Sequence, residues 1–517
     1  MGARSALAAL LALGLAGSLY VTRLRDAPVY LAHDEIKFAL QARAIAATGH
    51  ALNGDFLPLY FSEPEYTAGR DPLSIYTTAL VLKAMPFSVS SIRLPSALVG
   101  VLDIVLIFLV ARRLFTSNRA GAIAALLLAT TPAHFIHSRL AVDVLWPLPF
   151  VLGWLLLLAA YIHRPTRATL VGAMLTLGVG VYSYLGGALL MPVYAAATIG
   201  VVFLRTRSAR NHRWDAAAWR ECAWALGGFL LPLLLLAWWH HGHAGRYAEL
   251  VDAYRPQGAR DPFGYGSLAH RLDTIWNYFN PSYLFLTGDT SLINSTRSVG
   301  PFLLPVGVLI VCGLHRMLRA NRSPLEMVLV VGLLTAPIPA AMMGDIEIRR
   351  ALLILPFAIL IATAGAEHLL RANRGSWRTA AILLLVAVPL LFQGFYADYL
   401  GGHRVRSGSA YGGNIRDACI AVLTRQPAAA YLSRRIPYVD DYCAFYAIDT
   451  GRDDLLPRLT VIDPDAFDPA TAASGSMVVS TTGDEPATTL ARTAGWTRLE
   501  AVPELDGTSL YVTFEKR

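Results

Sequence analysis

The sequence predicts an α-helical polytopic membrane protein of about eleven transmembrane helices, with a small soluble α/β domain at its C-terminal end, and three observations carry that prediction. Hydrophobic residues make up 55% of the 517-residue chain and charged residues only 15%, a balance outside the range of soluble domains. The apolar residues collect in runs near the ~20 residues that a helix needs to cross a bilayer. Beyond Tyr399 these runs shorten, while Gly, Asp, Thr and Pro become frequent.

The spans fall at residues 5–22, 94–111, 120–136, 146–162, 168–184, 187–204, 222–239, 301–315, 324–343, 351–370 and 379–395. The first also has the basic start and polar sequel of a cleaved signal peptide, although a retained helix is the preferred assignment. Five alternate short loops gather arginine: 112, 113 and 119; 164 and 167; 205, 207, 210, 213 and 220; 316, 319 and 322; 371, 374 and 378. Only Asp215 and Glu221 oppose them, so these loops face the cytoplasm and account for most of the net charge of +8. Nucleic-acid binding is not needed to explain the charge. The remaining connections, 23–93, 137–145, 241–300, 344–350 and the tail from 396, then lie outside. Arg23 and Arg25 run against this orientation and are outvoted by the other helices.

Within 23–93, the stretch from Pro72 to Phe87 is apolar but short and carries Lys83. Crossing there would invert every later arginine-rich loop, so it is read as a juxtamembrane helix, and the loop as a cap over the membrane. Residues 1–401 thus form the transmembrane domain, with 241–300 as a second external loop, and 402–517 an extracytoplasmic α/β domain. The tail pattern predicts helices at 414–425 and 487–494, and strands at 428–432, 459–462, 477–480, 497–502 and 509–514. Cys419 and Cys443 would face an oxidising compartment, where a disulfide between them is one of two open outcomes. Cys222 and Cys312 fall in spans as small buried residues, and no Cys/His spacing suggests zinc.

Candidate chemistry begins at Asp34 and Glu35, a carboxylate pair just before the amphipathic run Ile36 to Gly49. Capping accounts for the pair by itself, since Asp34 stands where an N-cap belongs and Glu35 favours the positive helix end. Basic residues recurring on the same outer face add weight to a catalytic role. Arg139 and Asp143 stand one helical turn apart, where an ion pair is the plain alternative. Arg349 and Arg350 follow Asp345 and Glu347 at an outer helix end, where binding a phosphate and snorkelling to headgroups are evenly balanced. Arg70 precedes Asp71 and Pro72 in the cap loop. Asp103 lies inside a span, where a carboxylate is costly; an interhelical hydrogen bond is its bland assignment.

Taken together, these blocks resemble the GT-C glycosyltransferases, and within them the protein O-mannosyltransferase and aminoarabinose transferase branch. His33-Asp34-Glu35 is similar to the family's acidic loop motif, and Arg70-Asp71-Pro72-Leu73 to its basic residue before a Pro-Leu turn. Arg93-Leu94-Pro95-Ser96 with Ala111-Arg112-Arg113, then Ser138-Arg139 with Asp143, follow in the family's order. Trp276 to Pro281 and Leu284 to Asp289 resemble its late external loop. Asp71 departs from the neutral residue common at that place, and arginine replaces lysine at some relatives' phosphate position, which alters the geometry offered to the carrier.

The resemblance implies an inverting enzyme that moves a sugar from a polyprenyl-phosphate carrier to an acceptor hydroxyl on a lipid, glycan or protein. Asp34 is then the catalytic base with Glu35 in reserve. Arg70, Arg139, Arg349 and Arg350 hold the carrier phosphate, and Asp143 and Asp71 support the site or a divalent cation, whose presence stays open; no other cofactor is expected. Membrane lipids are the remaining partners. The expected location is a bacterial inner membrane, with the active site and C-terminal domain on the outer side. A multi-span lipid transporter or flippase is the alternative, but no internal repeat is found and ionisable residues gather at the outer edge rather than the midplane.

Overall fold

The computed structural model describes residues 14–63, 66–209, 216–243, 245, 265–319, 323–344 and 346–517. The start of the first span, Asp345 and most of 244–264 lie outside the described residues. Helix α1 (14–21) leads into a strap that reaches α2 (His33–Thr48), a short hairpin β1 (Phe61–Glu63) and β2 (Tyr66–Arg70), and α3 (Pro72–Leu82). There follow α4 (Val89–Leu114), α5 (Asn118–Ala129), α6 (Pro132–His137), α7 (Pro147–His163), α8 (Arg167–Gly180), α9 (Leu185–Ala209), α10 (Ala216–Gly242) and α11 (Tyr265–Tyr278). Helices α12 (Leu304–Arg319), α13 (Pro324–Thr335), α14 (Ile338–Met343), α15 (Ile354–Leu370) and α16 (Gly375–Leu400) complete the bundle.

Within the described residues each expected span coincides with helix, but proline breaks two of them. The span at 120–136 divides at Thr130 and Thr131 before Pro132, and the one at 324–343 divides at Pro337. Among the described residues, five stretches are long and apolar enough to cross a bilayer: Val89–Leu114, Leu185–Arg205, Ala218–Gly242, Pro324–Met343 and Gly375–Leu400. In the third and fifth only 22% of the most apolar window is buried by protein, and Leu231, Leu234, Trp238, Leu383 and Leu390 stand exposed. Apolar faces of this extent are stable only against lipid, so the chain is an integral membrane protein.

Elsewhere the helices touch at their backbones. Gly313 of α12 and Gly365 of α15 face each other so closely that a methyl group at either would strike the carbonyl of Ile361 or Leu309. Small residues at such a seam allow dispersion contacts that larger ones would prevent. Two of the arginine-rich turns meet at one end of the bundle, where Glu367 accepts from Arg119 at 2.8 Å and from Arg371 at 3.0 Å. The predicted intramembrane role of Asp103 reduces to an interhelical contact, with His134 Nε2 at 3.3 Å and the Tyr20 hydroxyl 2.7 Å from His134 Nδ1.

At the other end, after the short α17 (Gly402–Arg406), the tail folds as α18 (Ile415–Arg425), β3 (Ala430–Ser433), α19 (Val439–Asp449), β4 (Leu459–Ile462), β5 (Met477–Thr481), α20 (Glu485–Leu490), β6 (Trp496–Pro503) and β7 (Ser509–Lys516). The sheet runs β4-β3-β5-β7-β6, parallel from β4 to β5 and antiparallel through β7 and β6. The strands fall within two residues of their expected places. Helix α19 was not anticipated, because its buried positions Val439, Tyr442, Cys443 and Tyr446 are spelled with tyrosines and aspartates between them. Cys419 and Cys443 form a disulfide that ties α18 to α19, with Cα atoms 5.1 Å apart. The core of this unit is shared with the cap: Leu31, Ile36, Ala39, Val89 and Ala141 pack with Leu432, Val439, Phe445 and Val479 in one apolar cluster.

Candidate active site

Where α2 begins, two adjacent carboxylates receive opposite environments. Helix α2 starts at His33 with Ala32 as its N-cap, so Asp34 does not cap it. Glu35, at the third helical position, turns inward and is fully buried. One of its oxygens accepts from Arg93 Nε at 2.8 Å and from the Ala141 N–H at 3.0 Å. The other accepts from the Ala32 N–H at 3.0 Å and from Arg93 Nη2 at 3.1 Å. A carboxylate offers about four acceptor directions, and all of Glu35's are used. Its expected place as a reserve base is therefore closed to substrate: it fastens α2 to α4.

Arg93 and Arg139 are both fully buried beneath the strap of residues 22–32. Besides Glu35, Arg93 donates to the carbonyls of Leu24, Pro28 and Tyr30 at 2.8 to 3.0 Å. Arg139 donates to the carbonyls of Tyr20, Thr22 and Ala27 at 2.7 to 2.8 Å, and more distantly to Leu19. These are the orphaned acceptors at the end of α1 and in the turn after it, which have no helical partners of their own. The structure thus gives Arg139 no donor to spare for a phosphate. Residues 138–146 are also turn rather than helix, so Arg139 and Asp143 do not share the helical face expected of them.

Asp34 points the other way. Its side chain is 47% exposed, and its carboxylate lies 3.8 Å from Arg349 Nη1, across more than 300 residues of sequence. Arg349 sits on a single 3-10 turn, Ile348–Arg350, whose position is fixed from behind. The Tyr278 hydroxyl donates to the Glu347 carbonyl and accepts from its N–H, both at 2.7 Å. Asp289 accepts from the Ile348 N–H at 2.9 Å and from Asn294. The Glu347 carboxylate accepts from Arg349 Nε at 2.7 Å and Arg350 Nε at 3.2 Å. Burial alone would raise Glu347, but the two guanidiniums outweigh it and hold the carboxyl below its ordinary range. For Arg349 burial is outweighed in turn by Glu347 and Asp34, which hold its pKa above the usual value. Arg349 is thereby kept charged beside Asp34.

A second acidic place adjoins this one. Burial and the neighbouring Asp143 push the Asp71 carboxyl well above its ordinary range, while a backbone hydrogen bond from Leu185 works against them. Tyr184, next to Leu185, lies within electrostatic range of Arg349, so the turn between α8 and α9 borders both groups. Two facing carboxylates accommodate either a shared proton or a cation. Among the described residues no group of three or more His, Cys, Asp or Glu is arranged for a metal, so any divalent ion here would complete its shell with water or phosphate oxygens. Arg70 closes β2 immediately before Asp71, and its side chain lies outside the described residues.

The tail domain supplies residues that sequence reasoning missed. Asp441, in the first turn of α19, accepts from Lys37 Nζ at 2.9 Å and contacts His33 Nε2 at 3.3 Å. The Tyr438 ring stacks on His33 with centroids 3.4 Å apart. Burial would raise Asp441, but the hydrogen bonds from His33 and Lys37 hold it below the usual range. Tyr438 adopts a left-handed φ of 58°, a conformation disfavoured for a side chain with a Cβ. The residue preceding Asp34 is therefore gripped by a domain some 400 positions away in sequence, which no local signal foretold.

A family model for dolichyl-phosphate-mannose-protein mannosyltransferases matches residues 67–220. Among solved structures, ArnT from Cupriavidus metallidurans bound to undecaprenyl phosphate aligns with a TM-score of 0.57 at 17% identity, covering 98% of this chain and 97% of that one. The same protein in its apo state gives 0.59 at 16%, covering 99% and 98%. No curated protein matches the chain by sequence. Likeness at these identities is one of architecture, and the chain has the GT-C fold from its first helices through its tail domain.

Proposed function

We propose that this GT-C-fold protein is an inverting glycosyltransferase, moving a sugar from a polyprenyl-phosphate carrier to an acceptor hydroxyl on the outer face of a bacterial inner membrane. The observation that supports it is the half-exposed Asp34 carboxylate 3.8 Å from Arg349, with Arg350 beside it. A base and a phosphate-binding cation are what such a transfer needs at one opening. ArnT was crystallised with undecaprenyl phosphate, which favours a lipid carrier of the same chemistry here.

In the proposed reaction the acceptor oxygen attacks the anomeric carbon as its proton passes to Asp34. The bond from that carbon to the phosphate oxygen breaks, and the carrier phosphate departs with the electron pair. Arg349, Arg350 and Arg70 would stabilise its growing charge, because fixed donors at a departing anion lower the barrier without reorganising. Attack opposite the phosphate inverts the anomeric centre. A general base is worth roughly 10²–10⁴ in rate. Asp71 and Asp143 would steady the sugar, or a divalent ion completed by the carrier phosphate. Hexose and pentose donors, and lipid, glycan or protein acceptors, are all compatible with this chemistry.

The test is transfer of radiolabelled sugar from polyprenyl-phosphate donors into a membrane extract, by wild type and Asp34→Asn at matched expression. Loss of transfer with donor binding retained is expected. Equal transfer by the variant would remove Asp34 from the mechanism, and no transfer by either protein from any donor would favour a lipid transporter.

A further inference from the structure

Away from Asp34, a cleft of about 370 Å³ opens between the strap and the tail domain. Its walls include Arg25, Tyr30 and Val89 from the membrane domain, and Arg416, Asp417 and Asp449 from α18 and α19. The cleft lies at the bilayer boundary on two counts. Val89 is the first residue of the spanning helix α4. The strap beside Arg25 is tied to the end of spanning helix α16 and to α17 just beyond it, with Arg23 Nη1 donating to the Leu400 carbonyl at 3.4 Å and Arg404 Nε to the Asp26 carbonyl at 2.6 Å.

The charges in the cleft are unevenly committed. Arg416 is paired with Asp417 at 2.8 Å and lies over the Tyr30 ring at 5.6 Å. Asp449 is only partly exposed, yet among the described residues it makes no hydrogen bond and no ion pair. Its nearest compensation is the longer-range field of Arg25 and Arg416, which burial outweighs, so its carboxyl stands above the ordinary range. Arg25 is exposed and likewise without an ion pair among the described residues. A half-buried carboxylate with no donor calls for one, and an exposed guanidinium a short way off calls for an anion. The complementary ligand is a zwitterion with an anion and a hydrogen-bonding ammonium a few bonds apart.

We propose that this cleft binds the phosphoethanolamine headgroup of a membrane phospholipid, with its phosphate at Arg25 and Arg416 and its ammonium at Asp449. The lipid joins the tail domain to the membrane domain at the base of the strap that leads into α2 and Asp34. The site is independent of the chemistry at Asp34 and stands whether or not that residue is a base.

The test uses the full-length protein reconstituted in nanodiscs containing equal parts of phosphatidylethanolamine, phosphatidylglycerol and phosphatidylcholine, then extracted in mild detergent for native mass spectrometry of retained lipid. Phosphatidylethanolamine should be retained about tenfold over the other two, as one charge-assisted hydrogen bond gives. Phosphatidylglycerol lacks the amine, and the quaternary ammonium of phosphatidylcholine has no N–H to donate. Asp449→Asn should equalise phosphatidylethanolamine and phosphatidylglycerol, and Arg25→Gln should lower retention of phosphatidylethanolamine. Equal retention of all three lipids by the wild type would overturn the proposal, as would an Asp449→Asn variant with its preference intact. Binding of water-soluble phosphoethanolamine by delipidated protein that retains no lipid would overturn the lipid as its source. The comparison among lipids in the wild type keeps the test decisive even where a variant folds poorly.

Discussion

Two groups of arginines stand on the same side of this molecule and behave in opposite ways. Arg93 and Arg139 are fully buried, and carbonyls and Glu35 take up their donors, so they are parts of the frame. Arg349 keeps 36% of its side chain exposed, is braced from behind by Glu347, and turns its free edge toward Asp34. Residue type and position in the topology are alike in both groups. What separates them is whether the surrounding backbone has unsatisfied acceptors, as it does at the end of α1, or has its acceptors satisfied elsewhere.

The widest test of this contrast compares neighbours. Asp34→Asn should cost roughly 10²–10⁴ in transfer rate with an unchanged melting temperature. Glu35→Ala or Arg93→Met should cost about 3–5 kcal/mol of stability, because each leaves a buried charge without its partner. Thermal melts and transfer rates measured on the same preparations check both halves, and a Glu35→Ala protein that melts like the wild type would undo the assignment of roles. Cys443→Ser should lower stability by about 3 kcal/mol through the 24-residue separation that the disulfide spans, readable as a lower melting temperature. Arg349→Lys should reduce transfer about tenfold to a hundredfold and raise the donor KM, since a point charge cannot keep Glu347 and a phosphate engaged together. Its melting temperature should stay near that of the wild type.

The smallest effects are those of pH, and their signs differ between regions. Asp441 has a depressed pKa in the folded state, so its grip on His33 and Lys37 contributes stability above the unfolded value of about 4 and is lost as pH falls through the folded one. Asp71 has a raised pKa, so its contribution is fully present below about 4 and declines as pH rises toward its folded value. Melting curves across this range should therefore lose their acid limb in Asp441→Asn and gain stability near neutrality in Asp71→Asn.

Much of the fold was legible beforehand because membrane helices announce themselves by composition alone. The split at Pro132 and Pro337 follows from a residue whose effect is local, although whether a proline kinks a span or ends it depends on what packs around it. The tail strands were legible from alternation, whereas α19 was hidden by its tyrosines. Of the candidate site residues, the structure brings Asp34 to Arg349, with Arg350 alongside, and Asp71 to Asp143. It withdraws Glu35 and Arg139 into the frame.

The sequence by itself determined the class of the molecule, the places of its spans and a short set of residues able to carry chemistry. Those features depend on hydrophobicity and charge counted along the chain, which a bilayer reads segment by segment. Only the tertiary structure decided which carboxylate of an adjacent pair meets solvent, which arginines are consumed by orphaned carbonyls, and that Asp441 reaches back to His33. Those outcomes turn on which acceptors remain unsatisfied once distant segments have packed, and no count taken along one segment contains them.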